Sequence, residues 1–210
     1  MTLFTTLLYL HIAGGGISLL LGIIIICLKK GDKRHKNLGS IYFYALLIAS
    51  ICAIPMSYMH SNYFLFIISV FTMYMLLTGK RYIQKKSNVY VTKTDWLLTI
   101  LMAIFGTAFI SFGILHLMKS DLFGIVFIVF GAISYLFVYQ DRINFTGKSS
   151  VKNYFLITHL QRFIGSYIGS VTAFLVVNNT VLPGVVAWLL PTILIVPLLV
   201  KWSRKYKIQK

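Results

Sequence analysis

Three observations predict an all-α membrane bundle of seven transmembrane helices. Hydrophobic residues make up 58% of the 210 positions and charged residues 11%, far below the roughly 25% charged content of soluble domains. Seven apolar stretches, about 4–28, 39–58, 62–82, 95–118, 121–140, 154–178 and 184–201, approach or exceed the span length, since a helix crossing about 30 Å of hydrocarbon needs about 20 residues. The cations cluster in alternate connectors, which is the pattern of a chain weaving through a bilayer. Together these leave no room for a soluble domain, so residues 1–210 read as a single transmembrane domain.

The first segment carries no Lys or Arg in its opening ten residues and has no small-x-small cleavage pattern before the charges. It reads as a retained helix rather than a signal peptide. The connector after it holds Lys29, Lys30, Lys33, Arg34 and Lys36; the one after the third segment holds Arg81, Lys85, Lys86 and Lys93, with Lys80 at the helix end. Arg142, Lys148 and Lys152 follow the fifth segment, and Lys201, Arg204, Lys205, Lys207 and Lys210 end the chain. Eighteen of the twenty Lys and Arg thus fall on one side, against Lys119 on the other and Arg162 within a helix. The positive-inside rule then places the N-terminus outside and the C-terminus in the cytoplasm, as an odd number of spans requires. It also accounts for the net charge of +16 without nucleic acid, because the cations flank apolar segments instead of covering a polar surface.

Other local signals refine the elements. Ser120 and Asp121 suit a helix N-terminus and make the fourth and fifth segments a tight outer hairpin. Pro183 and Gly184 open the last helix, while Pro55, Pro191 and Pro197 fall inside apolar runs, where kinks are expected. Trp96 and Trp202 at inner ends and Trp188 near an outer end suit interfacial anchoring. Cys27 and Cys52 lie at different depths and are not expected to bridge. Gly14, Ser18 and Gly22 recur every four residues, as do Gly165, Gly169 and Ala173, and Gly106 stands seven before Gly113. Each set gives one helix face small enough for close backbone approach in lipid.

Candidate functional residues come from the histidines, because ionisable groups at membrane depth are costly and face the bundle interior. His11 lies about two turns into the first helix and His116 near the outer end of the fourth; at a 1.5 Å rise their depths differ by about one turn. With His60 in the outer connector they form an outer set of candidate metal or cofactor ligands. His35 and His159 fall at the cytoplasmic boundary and form an inner pair. Arg162, three residues from His159 and so on its face, is available for an anionic group such as a propionate or lipid phosphate. Asp95 and Asp141, at expected helix ends, are candidates to orient an imidazole from behind. The simpler reading of these residues is structural: Asp95 as a helix cap, Asp141 as an ion-pair partner of a connector Lys, and Arg162 as a cation reaching the interface.

The runs HIAGGGISLLLG, KGDKRHKNLGSIY and HLQRFIGSYIGSVTAFLVVN, in this order and spacing, resemble the bacterial predicted-membrane-protein family known as domain of unknown function 2306. The resemblance covers nearly the whole chain through His11, Gly15, Gly22, His35, Gly39, His159, Ser166 and Tyr167; relatives often carry Met where Phe163 stands. It implies a multipass protein of the bacterial cytoplasmic membrane and brings no activity with it.

The sequence contains no Glu, no Cys-x-x-Cys, no His-Glu-x-x-His, no Gly-x-Ser-x-Gly and no phosphate-binding glycine loop. Three function classes stand after that. Imidazoles from two helices can ligate haem b iron axially for electron transfer, with glycines letting the porphyrin lie against the backbone. Histidines can relay protons or bind a cation in a transporter. The small-residue faces can engage a partner subunit or a second copy of the chain in a non-catalytic scaffold.

Overall fold

A computed structural model describes residues 2–84 and 91–209. Among them the chain forms seven helices: α1 (Leu3–Cys27), α2 (Lys33–Met59), α3 (Tyr63–Gln84), α4 (Lys93–Met118), α5 (Gly124–Phe145), α6 (Tyr154–Asn178) and α7 (Gly184–Tyr206). All seven are long and apolar enough to cross a membrane. Lys85, Lys86 and Lys210, which enter the orientation argument, lie outside the described residues.

Helix ends depart from the hydropathy pattern where polar residues continue the backbone ladder. α2 starts six residues before the expected 39, because Asp32 caps it: its Oδ1 accepts the His35 N–H at 2.7 Å. The basic run from Lys33 to Lys36 is therefore its first turn. α7 runs through the basic stretch to Tyr206. α5 begins at Gly124 rather than 121, since Asp121 Oδ1 accepts from Phe123 N at 2.9 Å and Ser120 has a φ of 59°, so both residues build the turn and not the helix. α5 also extends past 140 to Phe145, which carries Asp141 into the helix body.

The chain divides into two compact units. The first comprises Met1–Gly79 and Leu160–Lys205; the second comprises Lys80–His159 and Tyr206–Lys210. In the first, α1 packs along α2 with Gly14, Ser18 and Gly22 as its buried face. A Cβ on Gly14 would stand 2.6 Å from the Ala45 carbonyl oxygen, and one on Gly22 would strike the Tyr167 ring. The core of this unit gathers Tyr42, Phe43, Leu46, Leu76 and Tyr167, with the buried Tyr42 and Ser166 hydroxyls 3.0 Å apart. Phe64 stacks on Trp188 with ring centroids 4.4 Å apart. Pro55, Pro191 and Pro197 are all contained within continuous helices.

In the second unit α4 packs along α5, again through glycine. A Cβ on Gly124 would collide with the Gly113 carbonyl, and one on Gly131 would lie 2.9 Å from that of Gly106. Beyond α7 the tail clasps the α5–α6 connector: Lys152 N donates to Ile208 O at 2.8 Å, Asn153 Nδ2 to Tyr206 O at 2.7 Å, and Ile208 N to Asn153 Oδ1 at 2.9 Å.

Candidate functional site

The most buried carboxylate in the second unit is Asp141, with 0% of its surface exposed. It lies one turn before the end of α5, and Asn144, three residues on, shares its face. Tyr82 from the last turn of α3 donates its hydroxyl to Asp141 Oδ1 at 2.8 Å, and Thr99 from α4 donates to Oδ2 at 3.0 Å. The Thr99 hydrogen is shared with the Asp95 carbonyl, 3.1 Å away. Asn144 Nδ2 donates both hydrogens, to the Tyr82 oxygen and to Thr158 Oγ1 of α6, each at 3.2 Å. Four helices thus converge on one carboxylate through hydroxyl and amide groups. All five side chains are buried; burial among aromatics, with Phe145 stacked on Tyr82 at 5.8 Å and Tyr154 edge-on at 6.3 Å, lowers the local dielectric and strengthens each bond.

Asp95 has a different role. At the third position of α4 it accepts both the Thr92 N–H and the Thr92 hydroxyl on Oδ2 at 2.8 Å, and Arg81 Nε on Oδ1 at 2.6 Å. Arg81 Nη2 also donates to Thr92 Oγ1 at 2.5 Å. Asp95 therefore caps α4 and anchors the end of α3 to it, the structural role weighed above. Asp141 receives hydroxyl donors, a feature that the ion-pair expectation did not include. Arg162 is 1% exposed, its guanidinium 5.0 Å from the Tyr74 ring centre, rather than extended to the interface.

The histidines fall in both units. His11 Nδ1 is 2.9 Å from the Ala49 carbonyl, so the tautomer that donates there leaves Nε2 as the acceptor. His60 ends α2 and meets Phe4 edge-on at 4.4 Å. Both belong to the first unit. His116, in the second, has Nδ1 2.7 Å from Asp121 Oδ2; this hydrogen bond, followed by that from the Phe123 N–H, holds the Asp121 carboxyl below the ordinary range. His35 Nδ1, in the first unit, is buried without a hydrogen-bond partner among the described residues, whereas His159 belongs to the second. Among the described residues no group of three or more His, Cys, Asp or Glu is arranged to hold a metal ion.

In the first unit Lys30 closes the end of α1. Its Nζ donates to the Ile25, Ile26 and Leu28 carbonyls at 3.0, 2.6 and 3.1 Å and lies 4.3 Å over the Trp202 ring. Burial pushes its pKa down, while the carbonyls it caps favour the charged form.

Sequence reasoning found Asp141 but missed Tyr82, Thr99, Asn144 and Thr158. Two of the four had a local signal, Thr99 four residues after Asp95 and Asn144 three after Asp141, each a polar side chain on the face of a carboxylate. No family model, curated protein or solved structure matches the chain. The class that the helices define is a multipass membrane protein.

Proposed function

We propose that the protein is a transporter-type membrane protein that relays protons or a small cation through the polar cluster centred on Asp141. The observation that carries this reading is a fully buried carboxylate in the last turns of a membrane-length helix, held by the Tyr82 and Thr99 hydroxyls. Ionisable groups at such positions are expensive and are kept where charge or protons move. Hydroxyls suit the task because each both donates and accepts, so the Tyr82 and Thr99 hydroxyls that donate to Asp141 can also take a proton back, while Asn144, a donor to Tyr82 and Thr158, holds the Tyr82 hydroxyl in place. The test uses purified protein in liposomes loaded with a pH-sensitive dye. Under an imposed membrane potential the wild type is expected to acidify or alkalinise the lumen, and Asp141→Asn to lose that flux. Wild-type vesicles as tight as empty ones, with protons and with alkali cations, would refute it.

Haem or metal ligation is the second reading, and the buried Nδ1 of His35 favours it. It has less support because, among the described residues, no group of three or more His, Cys, Asp or Glu is arranged to hold a metal ion. An absorption spectrum of the same preparation, with bound haem lost in His35→Ala, would reverse the ranking. The resemblance to domain of unknown function 2306 is kept as part of the proposal, as are a bacterial cytoplasmic membrane and an outside N-terminus. For orientation, a reporter active only in the cytoplasm is expected to signal when fused after Gln84 and to be silent after Met59; the reverse result would invert the topology.

A further inference from the structure

The end of α7 carries a groove that neither the Asp141 cluster nor the histidines use. It is lined by Val196, Pro197, Val200, Lys201, Arg204 and Lys205 and lies open at the surface of the helix. These residues form two neighbouring rows along the helix, Val196, Val200, Arg204 and Pro197, Lys201, Lys205, each stepping by four and so stacked on one face. Valine and proline give it a low apolar floor, whereas the three cations have long arms. Read along the axis, the groove changes from apolar to basic within about 12 Å, eight residues at 1.5 Å each.

We propose that this groove binds one anionic phospholipid, its acyl chains against Val196, Pro197 and Val200 and its phosphate against Lys201, Arg204 and Lys205. Charge complementarity selects the occupant. No Asp or Glu occurs anywhere after Asp141, so no side chain of α7 offsets the positive charge of the rim. The apolar floor selects a lipid over a free phosphate, which would gain nothing from two valines and a proline. The level is right as well: Trp202, between Lys201 and Arg204, is an aromatic of the kind that sits among headgroups, and Lys30 fixes its ring from 4.3 Å. The guanidinium of Arg204 can hold a phosphate through two parallel bonds, and the two ammonium groups add point charge. This site stands independently of the relay at Asp141.

The test is native mass spectrometry of the detergent-solubilised chain offered equal phosphatidylglycerol and phosphatidylcholine, with millimolar inorganic phosphate as a separate arm. Wild type is expected to retain one phosphatidylglycerol in preference. Exchanging Lys201, Arg204 and Lys205 together for Gln is expected to reduce that preference about tenfold or more, since each cation near a lipid surface contributes several-fold. Val200→Trp, which fills the floor and changes no charge, is expected to weaken retention too, and it decides the question if the triple variant does not fold. Three results would overturn the proposal: equal retention of the two lipids, displacement of the lipid by inorganic phosphate, or an equal loss when Lys33, Arg34 and Lys36 are exchanged for Gln, which would make the attraction a diffuse property of the basic side.

Discussion

Gly14→Ala will lower the stability of the protein by about 3 kcal/mol, the upper part of the range for overpacking a tight interface, while Gly15→Ala and Gly16→Ala, one and two residues away, will leave it unchanged or raise it. The sign differs because of what a methyl group meets. At Gly14 it would lie 2.6 Å from the Ala45 carbonyl oxygen, a backbone atom of α2 that cannot turn aside, whereas at Gly15 and Gly16 nothing lies within 4 Å. At those two positions alanine acts only through helix propensity, where it is favoured over glycine by about 1 kcal/mol. Gly124→Ala will resemble Gly14→Ala, since its methyl would collide with the Gly113 carbonyl. Gly169→Ala will be milder, because the nearest atom is the Thr72 hydroxyl at 3.2 Å, and at Gly165 it is the flexible Met75 sulfur at 2.7 Å. Leu20, 68% exposed, will tolerate Ile. Thermal unfolding in detergent measures all of these, and equal melting of the Gly14 and Gly15 variants would contradict the account. The sequence expectation had placed Gly14 and Gly169 on a par; the difference lies in whether the opposing atom belongs to the backbone or to a side chain.

Asp141→Ala is expected to cost about 2 kcal/mol, because it removes the carboxylate to which the buried Tyr82 hydroxyl donates, and a buried group that loses its partner costs about 1–3 kcal/mol. Tyr82 loses the bond that it donates, whereas Thr99, whose hydrogen is shared with the Asp95 carbonyl, keeps that acceptor. Asp141→Asn keeps the shape and one acceptor oxygen, so it should be destabilised less. That separation makes Asn the proper substitution for a transport assay and Ala the proper one for stability. If Ala melts with the wild type, the Tyr82 hydroxyl has found water, and the cluster is wetter than its burial implies.

Much of the architecture could be read from the residues because bilayer thickness imposes a length on apolar runs. Hydropathy finds the slab and not the helix, however. Asp32 caps α2 and residues 201–206, with Lys201, Arg204 and Lys205, continue α7, since the hydrogen-bonded ladder continues into the headgroup layer where polar side chains are no penalty. The face of Gly14, Ser18 and Gly22 was legible because its period is that of the helix, and all three are buried. The surroundings of Asp141 were not, because Tyr82 reaches it, and Thr158 reaches its neighbour Asn144, from other helices, and no spacing within a sequence encodes that meeting. The same holds for Gly22 against Tyr167, separated by most of the chain.

The division into two units has a consequence for biosynthesis. Apart from a few tail residues, the second unit is one uninterrupted stretch, Lys80–His159, built on the α4–α5 hairpin; a translating ribosome delivers its helical parts in succession, and local contacts form early. The first unit is split, with Leu160–Lys205 made last and needed beside Met1–Gly79. Its Tyr42–Ser166 pair joins residues 124 positions apart. During synthesis α1 and α2 must therefore wait in the membrane with the surface for α6 unfilled, and that interval is when this chain is most exposed to insertion factors, lipids and proteases.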